Sequence, residues 1–304
     1  MTKTESMEQK TAFVAIVGCP NVGKSSIMNK ILGQKVAIVS PKPQTTRTRI
    51  IGVHTDGAIQ LVFTDTPGIH RAHNRLGEAM NRAADGSIQG GDACLLVVEP
   101  YGEVKDTERE LCARFKKENI PAVLAVNKID LVEDKRRLLE RIAKFAPLCD
   151  FAAVVPVSAR TGDGMDDLLA ELNALAAPSP HFFPDDELTD QPERVIAAEI
   201  VREKMLLCLD QEIPHGAAVT IERFAERDDG IIDISALIYC EKQSHKGIII
   251  GKGGAMLKKI GTAARIEIER MLGAHVNLSL HVKVREGWRN RDSMIRDFGL
   301  EPGD

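Results

Sequence analysis

The segment that most clearly indicates the fold is Gly18-Cys19-Pro20-Asn21-Val22-Gly23-Lys24-Ser25, and Ser26 follows it directly. This segment matches the pattern G-x-x-x-x-G-K-[ST] and lies between an apolar run and a helical pattern, the context in which that pattern forms a phosphate-binding P-loop. Its glycines let backbone N–H groups point at phosphate oxygens, and the following helix adds its positive N-terminal end. We therefore expect Lys24 to reach the β- and γ-phosphates and Ser25 to ligate Mg²⁺.

Three further motifs follow predicted strands, and their residues are Asp65-Thr66-Pro67-Gly68-Ile69, Asn127-Lys128-Ile129-Asp130 and Ser158-Ala159-Arg160. The carboxyl ends of parallel strands meet at one edge of a sheet, so we expect these motifs to join the P-loop there. Asp65 would hold Mg²⁺ through water, and the N–H of Gly68 would meet the γ-phosphate. A chance match in a glycine-containing turn is an alternative for one motif alone. The four motifs in this order exclude it.

The base that this site selects follows from Asp130. Its carboxylate can accept two hydrogen bonds from guanine, one from the ring N–H and one from the exocyclic amine. Adenine offers no such pair of donors and would leave the carboxylate desolvated and unpaired. A site of this kind rejects the wrong base by roughly 10⁴ or more. We therefore expect GTP and GDP, and not ATP, to be the ligands.

The order of the predicted elements indicates the fold class of the first part of the chain. Apolar runs alternate with helical patterns, which is typical of a mostly parallel, doubly wound α/β sheet covered on both faces. The predicted strands are 13–17, 61–64, 94–98, 123–126 and 153–157. The predicted helices are 24–32, 74–86, 106–118, 135–145 and 165–175.

Composition limits the class of protein. A chain of 304 residues is long enough for two domains, and its net charge of −4 means that any nucleic-acid surface must be local. The six cysteines form no C-x-x-C pair, which favours reduced thiols over disulfides or zinc. Residues 1–10 are polar and resemble no targeting signal. We expect a cytoplasmic monomer.

A Pro-rich, acidic stretch at 178–193 predicts a linker to a second domain. The resulting predicted boundaries are a polar tail at 1–10, a nucleotide-binding domain at 11–177, the linker at 178–193, a small α+β domain at 194–287 and a C-terminal tail at 288–304. The second domain has the predicted order α-β-β-α-α-β. Its two middle helices, 246–250 and 255–272, are joined by Gly251-Lys252-Gly253-Gly254.

This glycine-rich loop favours nucleic acid over a plain helix–helix turn, because residues 242–266 hold six basic residues and no Asp or Glu. The element order and the G-x-x-G loop resemble a KH domain of the type II arrangement. In that fold the loop clamps the backbone of about four single-stranded nucleotides. We expect the neighbouring Ile248, Ile249 and Ile250 to be mainly core. The resemblance implies RNA contacts at Lys246, Gly251, Lys252, Gly253, Gly254, Lys258 and Lys259.

The motifs P-N-V-G-K-S, D-T-P-G and N-K-x-D together resemble the translation-factor-related class of small GTPases. The resemblance implies that Pro43-Gln-Thr-Thr-Arg47 is the first switch segment, with Thr45 or Thr46 meeting Mg²⁺ and the γ-phosphate. Sequence does not decide between the two threonines. Without the resemblance, a Pro-rich surface turn would be the favoured interpretation of this segment.

The residue after Gly68 is Ile69, where many signalling GTPases carry a glutamine that orients the attacking water. Isoleucine cannot do this, so we expect slow intrinsic hydrolysis that another group assists. The resemblance suggests a K⁺ ion at Asn21, whose side-chain oxygen would ligate it beside the phosphates. The alternative is that Asn21 is a turn residue that tolerates unusual backbone angles.

Both halves together resemble the bacterial Era GTPases from about Thr11 to Trp288. The segments that carry the resemblance are the GTPase motifs together with 184–190, 199–204 and 245–254. It implies binding of the 3′ end of small-subunit ribosomal RNA, a part in assembling the small ribosomal subunit, and peripheral contact with the inner membrane.

We expect Mg·GTP to order segments 41–49 and 66–90, which then bias the RNA-binding domain. An RNA-binding chaperone, in which hydrolysis only ends the bound state, is the alternative. A P-loop kinase is remoter, because Asn127–Asp130 selects guanine.

Overall fold

The computed structural model describes residues 8–69, 72 and 74–300. Parts of both predicted tails (1–7 and 301–304) lie outside it, as do residues 70, 71 and 73 of the segment 66–90 that Mg·GTP is expected to order. The chain forms two compact units. The first holds the described residues of Met1–Val36, Thr46–Arg71 and Met80–Asp190, and the second holds those of Ala37–Thr45, Ala72–Ala79 and Gln191–Asp304. None of the helices in these described ranges is long and apolar enough to cross a membrane.

The first unit is built on one sheet, with strands β1 (Lys10–Val17), β2 (Ile50–Asp56), β3 (Ile59–Asp65), β4 (Ala93–Val98), β5 (Ala122–Val126), β6 (Ala153–Pro156) and β7 (Ala177–Pro178). Its order is β2-β3-β1-β4-β5-β6, and β7 also pairs with β1. Neighbours from β3 to β6 run parallel, whereas β2 and β7 are antiparallel to their partners. The predicted mostly parallel sheet is confirmed.

The helices between these strands are α1 (Lys24–Leu32), α2 (Arg75–Gln89), α3 (Asp106–Glu118), α4 (Lys135–Phe145) and α5 (Met165–Asn173). Their ends follow local signals. α1 and α3 stop at left-handed residues, Gly33 and Asn119, and Asp134 caps α4 by accepting from the N–H of Arg136. Because β1, β4 and β5 run parallel, their carboxyl ends all emerge at the same edge of the sheet.

The sequence analysis missed β2. This strand lies at the edge of the sheet and carries Gly52 and His54, so it lacks the continuous apolar pattern of a central strand. Its outer edge bonds to the segment that follows β7. The N–H of Val53 donates to the carbonyl of Leu188 at 2.9 Å, and Thr189 Oγ1 donates to the carbonyl of Ile51 at 2.6 Å.

The buried side chain of Gln60, on β3, holds the same segment. Its Oε1 accepts from the N–H groups of Phe182 and Phe183 at 2.8 and 3.0 Å, and its Nε2 donates to the carbonyl of Phe183 at 2.9 Å. Residues up to Asp190 therefore belong to the first unit. The Pro-rich composition predicted a linker from residue 178, but this part of it is bound to the sheet.

The second unit contains α6 (Glu193–Cys208), β8 (Ala218–Glu226), β9 (Ile232–Cys240), α7 (Gln243–Ile250), α8 (Ala255–Leu272), β10 (Val276–Val284) and α9 (Asp292–Asp297). The sheet order is β10-β9-β8, with β9 and β10 parallel and β8 and β9 antiparallel. Alternate residues of β9 form one core with α6, α7 and α8. The predicted α-β-β-α-α-β order is therefore confirmed.

The segment after β10 is part of this unit. Trp288 is fully buried, and its Nε1 donates to the carbonyl of Gly216 at 2.9 Å. Phe298 packs against both Tyr239 and Trp288, with ring centroids 4.6 and 5.3 Å away. Residues 288–300 thus cover β9 and are not the separate tail that the sequence predicted. A turn, a lone Trp and a six-residue helix are too short to produce a recognisable periodic pattern.

Candidate nucleotide and RNA sites

The P-loop joins the end of β1 to the start of α1 through left-handed backbone. Gly18 has a φ of 143° and Gly23 a φ of 101°. A Cβ at Gly18 would collide with the carbonyl oxygen of Val97, and a Cβ at Gly23 would collide with Asn127 Nδ2. Gly23 caps α1 without a side chain, so the first N–H groups of the helix remain available to an anion.

Lys24 is buried at the base of this loop. Its ammonium donates to the carbonyls of Gly18 and Cys19 at 3.1 and 3.0 Å. Burial lowers the pKa of Lys24, and the nearby Asp65 carboxylate opposes that shift. A phosphate oxygen is a stronger acceptor for this ammonium than a carbonyl. The position fits the predicted contact with the β- and γ-phosphates.

Three oxygen side chains converge beside Lys24. Ser25 Oγ donates to Asp65 Oδ2 at 2.5 Å and lies 3.0 Å from Thr46 Oγ1, which is itself 3.3 Å from Asp65 Oδ2. Asp65 Oδ1 is buried and has no hydrogen-bond partner among the described residues. Burial raises the pKa of Asp65, while Lys24 and the two hydroxyls lower it. A hard divalent cation fits this oxygen set and would offset the cost of the buried carboxylate.

The structure places the two candidate threonines differently. Thr46 lies in the oxygen cluster, whereas Thr45 Oγ1 bonds to Ser40 Oγ at 2.8 Å and to the carbonyl of Lys42 at 2.7 Å. Consecutive residues of an extended segment point their side chains in opposite directions, so only one of the pair can face the cluster. In this arrangement Thr46, and not Thr45, has its hydroxyl beside Ser25 and Asp65.

We predict that Thr46→Ala will raise the Mg²⁺ concentration needed for half-maximal GTP turnover by about tenfold, because it removes one oxygen from the cluster. Thr45→Ala is the matched control and is expected to change that concentration by less than about twofold, since its hydroxyl bonds to Ser40 and to the carbonyl of Lys42 and lies outside the oxygen cluster. Magnesium titrations of both variants at saturating GTP make the comparison. Equal shifts in both variants would contradict this assignment.

The Asp65–Gly68 segment closes against the P-loop. Thr66 Oγ1 donates to the carbonyl of Ile16 at 2.8 Å, and a Cβ at Gly68 would meet the backbone of Pro20 at 2.7 Å. Ile69 packs against the core cluster that includes residues of β4 and β5. The residue after Gly68 therefore serves packing, and it carries no group that could orient a water molecule.

The guanine-binding motifs meet as predicted. Asn127 is buried, and its amide donates to the carbonyl of Val22 at 2.9 Å and accepts from the N–H of Ala159 at 3.1 Å. Asp130 accepts from Ser158 Oγ at 2.5 Å and from Arg160 Nε at 2.9 Å. These two partners, Ser158 first, lower the pKa of Asp130. It is therefore a carboxylate near neutral pH and can accept from guanine.

Lys128 connects this motif to the P-loop. It has a φ of 66°, and its ammonium donates to the carbonyl of Asn21 and to Glu99 Oε1, both at 2.7 Å. Asn21 itself has a φ of 64°. Asparagine tolerates left-handed backbone better than most residues, so the turn alternative accounts for Asn21 without a K⁺ ion.

The loop between α7 and α8 presents its backbone openly. Gly251, Gly253 and Gly254 all have positive φ, of 73°, 59° and 80°. A Cβ at Gly251 would crowd the backbone of Met256, whereas one at Gly253 would meet nothing within 4 Å. Gly251 is therefore required by the turn of the loop itself, whereas the open space at Gly253 lets a ligand approach the main chain.

The surroundings of the loop are basic and open. Lys252, Lys258 and Lys259 are exposed, and Lys246 is half-buried. Of the three isoleucines before the loop, Ile249 is core and Ile250 packs on it, but Ile248 is half exposed. A groove of about 370 Å³ runs between α8 and β10, and its lining includes Gly254, Lys258, Gly261, Thr262, Arg265 and Leu280.

Comparison with known proteins matches both units. Residues 13–128 match the family described as 50S ribosome-binding GTPase, and residues 212–289 match the KH domain family. GTPase Era of Ruminiclostridium cellulolyticum is 50% identical over 97% of this chain and 99% of its own length. GTPase Era of Clostridioides difficile is 47% identical over 95% and 98%. The chain belongs to the Era GTPase family.

Two crystal structures of Era proteins have the same fold. An Aquifex aeolicus Era variant bound to GDP·AlF₄⁻ superposes with a TM-score of 0.91 at 37% identity, covering 96% of this chain and all of that one. Era in complex with MgGDPNP and nucleotides 1506–1542 of 16S ribosomal RNA gives 0.90 at 37% identity, covering 96% and 99%.

The Era-family chain is thus a GTPase with Mg²⁺ as cofactor. Different residues of the site would bind the phosphates, the guanine and the metal ion. The P-loop N–H groups and Lys24 would bind the phosphates, Asn127 and Asp130 would position the guanine, and Gly68 lies against Pro20 of the P-loop, where its N–H would meet the γ-phosphate. Ser25, Thr46 and Asp65 would hold Mg²⁺, which neutralises charge on the phosphate oxygens. Catalysis of this kind rests on positioning and electrostatics.

Proposed function

We propose that this chain is a GTP-driven switch that binds the single-stranded 3′ end of small-subunit ribosomal RNA and acts in assembly of the small ribosomal subunit. The observation that carries the proposal is the open, basic Gly251–Gly254 loop in front of the α8–β10 groove. A loop of this kind lets a sugar-phosphate backbone reach the main chain. The relative bound to nucleotides 1506–1542 of 16S ribosomal RNA supports the choice of RNA.

Contacts within the second unit supply a means of coupling. Residues 37–45 belong to that unit, and the N–H of Val39 donates to Glu203 Oε1 on α6 at 2.9 Å. Arg202, also on α6, donates to the carbonyl of Thr45. The next residue, Thr46, lies in the oxygen cluster of the first unit. Ordering of Thr46 by Mg·GTP would therefore act on the segment that α6 binds.

From α6 the contacts continue to the RNA-binding helix. Lys204 bonds to Glu203 at 2.6 Å and also to Glu267 on α8. Because α8 begins at the end of the glycine-rich loop, a shift of α6 that followed the nucleotide state would reach that loop through this ion-paired network.

Turnover measurements separate the proposal from its alternative. A GTP-driven switch predicts that a short single-stranded RNA of the 3′-end sequence, or the small subunit, raises GTP turnover. A chaperone in which hydrolysis only ends the bound state predicts GTP-dependent RNA binding without stimulated turnover. RNA crosslinks from cells, mapped to nucleotide positions, identify the RNA, and crosslinks outside the 3′ end of the small-subunit RNA would contradict the proposed target.

A K⁺ ion at Asn21 is proposed as the assistant to hydrolysis, since Ile69 provides no water-orienting group. Replacing K⁺ by Na⁺ should then reduce turnover several-fold in the native protein and have little effect in Asn21→Gly. Glycine is the suitable substitution because the φ of 64° at Asn21 would strain alanine. Steady-state turnover in the two salts is the measurement. Equal GTP turnover of the native protein in K⁺ and Na⁺ would contradict the K⁺ site and favour Asn21 as a turn residue only.

We also propose a cytoplasmic monomer with peripheral contact at the inner membrane. The resemblance to Era GTPases supports both statements. Size-exclusion chromatography and separation of membrane and soluble fractions test them, and a stable dimer or complete absence from membranes would overturn the respective part.

A further inference from the structure

Lys128 also binds a carboxylate that lies outside every motif, that of Glu99, immediately after β4. We propose that Glu99 is a positioning residue for guanine-nucleotide binding, and that it acts by holding Lys128 in the geometry that joins the base-binding motif to the P-loop.

The geometry of Lys128 is the first observation. Its ammonium lies between Glu99 Oε1 and the carbonyl of Asn21, 2.7 Å from each. The left-handed backbone of Lys128, with a φ of 66°, costs energy for a residue other than glycine, so surrounding contacts must hold it. The two acceptors at the end of the side chain are such contacts. One of them, Asn21, is a P-loop residue.

The fixed position of Glu99 is the second observation. Its carbonyl accepts from Arg141 Nε at 3.1 Å, and Arg141 forms a fully buried, two-bonded pair with Glu108 on α3. Asn127, next to Lys128, donates its backbone N–H to the carbonyl of Val98 at 2.9 Å. The chain is therefore held on both sides of the Glu99–Lys128 pair, which limits the freedom of both side chains.

The exposure of the pair is the third observation. The side chains of Glu99 and Lys128 are 24% and 29% exposed, so solvent screens them less than a free surface pair. Lys105 lies 3.9 Å from the other oxygen of Glu99 and adds a weaker attraction. Glutamine at position 99 would keep an acceptor oxygen but remove the negative charge, so it would hold the Lys128 ammonium less strongly than the carboxylate does.

The experiment compares Glu99→Gln with a matched control. Glu103, in the same loop after β4, also accepts from a lysine at 2.7 Å, but this pair is 82% and 41% exposed, and its lysine, Lys144, lies on α4 outside the nucleotide motifs. Glu99→Gln is expected to weaken GDP and GTP affinity about fivefold, mainly through faster dissociation. Glu103→Gln is expected to change affinity by less than about twofold.

Two further readouts separate positioning from loss of structure. At saturating GTP, kcat of Glu99→Gln should remain native while KM rises, because Glu99 lies away from the oxygen cluster. In a Lys128→Met background, Glu99→Gln should cost less than about twofold, since its partner is gone. Glu99→Asp keeps the charge and should recover part of the affinity.

The proposal fails if Glu99→Gln and Glu103→Gln have the same nucleotide affinity. It also fails if the loss from Glu99→Gln is undiminished in the Lys128→Met background, or if kcat falls as much as kcat/KM. Should Glu99→Gln fold poorly in a melting curve, Glu99→Asp in the native and Lys128→Met backgrounds gives the same comparison.

Discussion

Asp130→Asn is expected to lower affinity for GTP by about 10⁴-fold and to make xanthosine triphosphate the preferred ligand. The carboxylate would accept from two donors of guanine, whereas an amide carries an NH₂ that would face guanine's own amine. Xanthine has an oxygen in place of that amine, and the amide can donate to it. Equilibrium binding of both nucleotides to the variant is the measurement.

The structure adds a control to this prediction. Asp130, which follows β5, also accepts from Ser158 and Arg160, so its replacement could loosen the loop after β6 that carries those two partners. Asp163→Asn removes a charge from the same loop, where Asp163 accepts from Thr161 Oγ1 at 2.9 Å and faces solvent. It should bind GTP as the native protein does. Similar affinities of Asp130→Asn for the two nucleotides would count against Asp130 as the base-reading residue.

Gly253→Asp is expected to weaken RNA binding by at least about 10²-fold, or ~2.7 kcal/mol, while nucleotide affinity stays native. The open space at a Gly253 Cβ is the approach that a sugar-phosphate backbone would use, and a carboxylate there both occupies and repels it. RNA affinity at several salt concentrations is the measurement. Native RNA binding by a folded Gly253→Asp protein would mean that the loop is only a helix turn.

The positive φ of 59° at Gly253 requires a second variant. Any side chain there costs about 1–2 kcal/mol of backbone strain, although asparagine and aspartate tolerate it best. Gly253→Asn carries the same shape and strain without the charge, so the difference between the two variants isolates repulsion of phosphate. Lys252→Ala should be milder and lower the salt dependence by about one phosphate contact. A melting curve of each variant shows whether the backbone strain at residue 253 lowers the stability of the folded protein.

Much of the candidate site could be predicted because its motifs are local along the chain. A P-loop needs glycines, a lysine and a serine at set spacings, and the structure places Gly18 and Gly23 between β1 and α1, with Lys24 and Ser25 as the first residues of α1. The bounds of α1, α3, α4 and α8 were predicted to the residue, since caps and periodic apolar positions act within a few residues. The edge strand β2 was missed because its stabilisation comes from neighbours far along the chain.

What the linear pattern could not supply is the contact between residues distant in sequence. Thr45 and Thr46 are equivalent as letters, and only packing turns Thr46 towards Ser25 and Asp65. From sequence alone Glu99 would be interpreted as an ordinary surface acid. Only the pairing of β4 with β5 places it beside Lys128. The burial of Gln60 and Trp288, which attaches residues 182–183 and 288–300 to their units, depends likewise on partners more than fifty residues away. Local rules specify motifs and helix ends, whereas close packing of the folded chain selects which side chains meet.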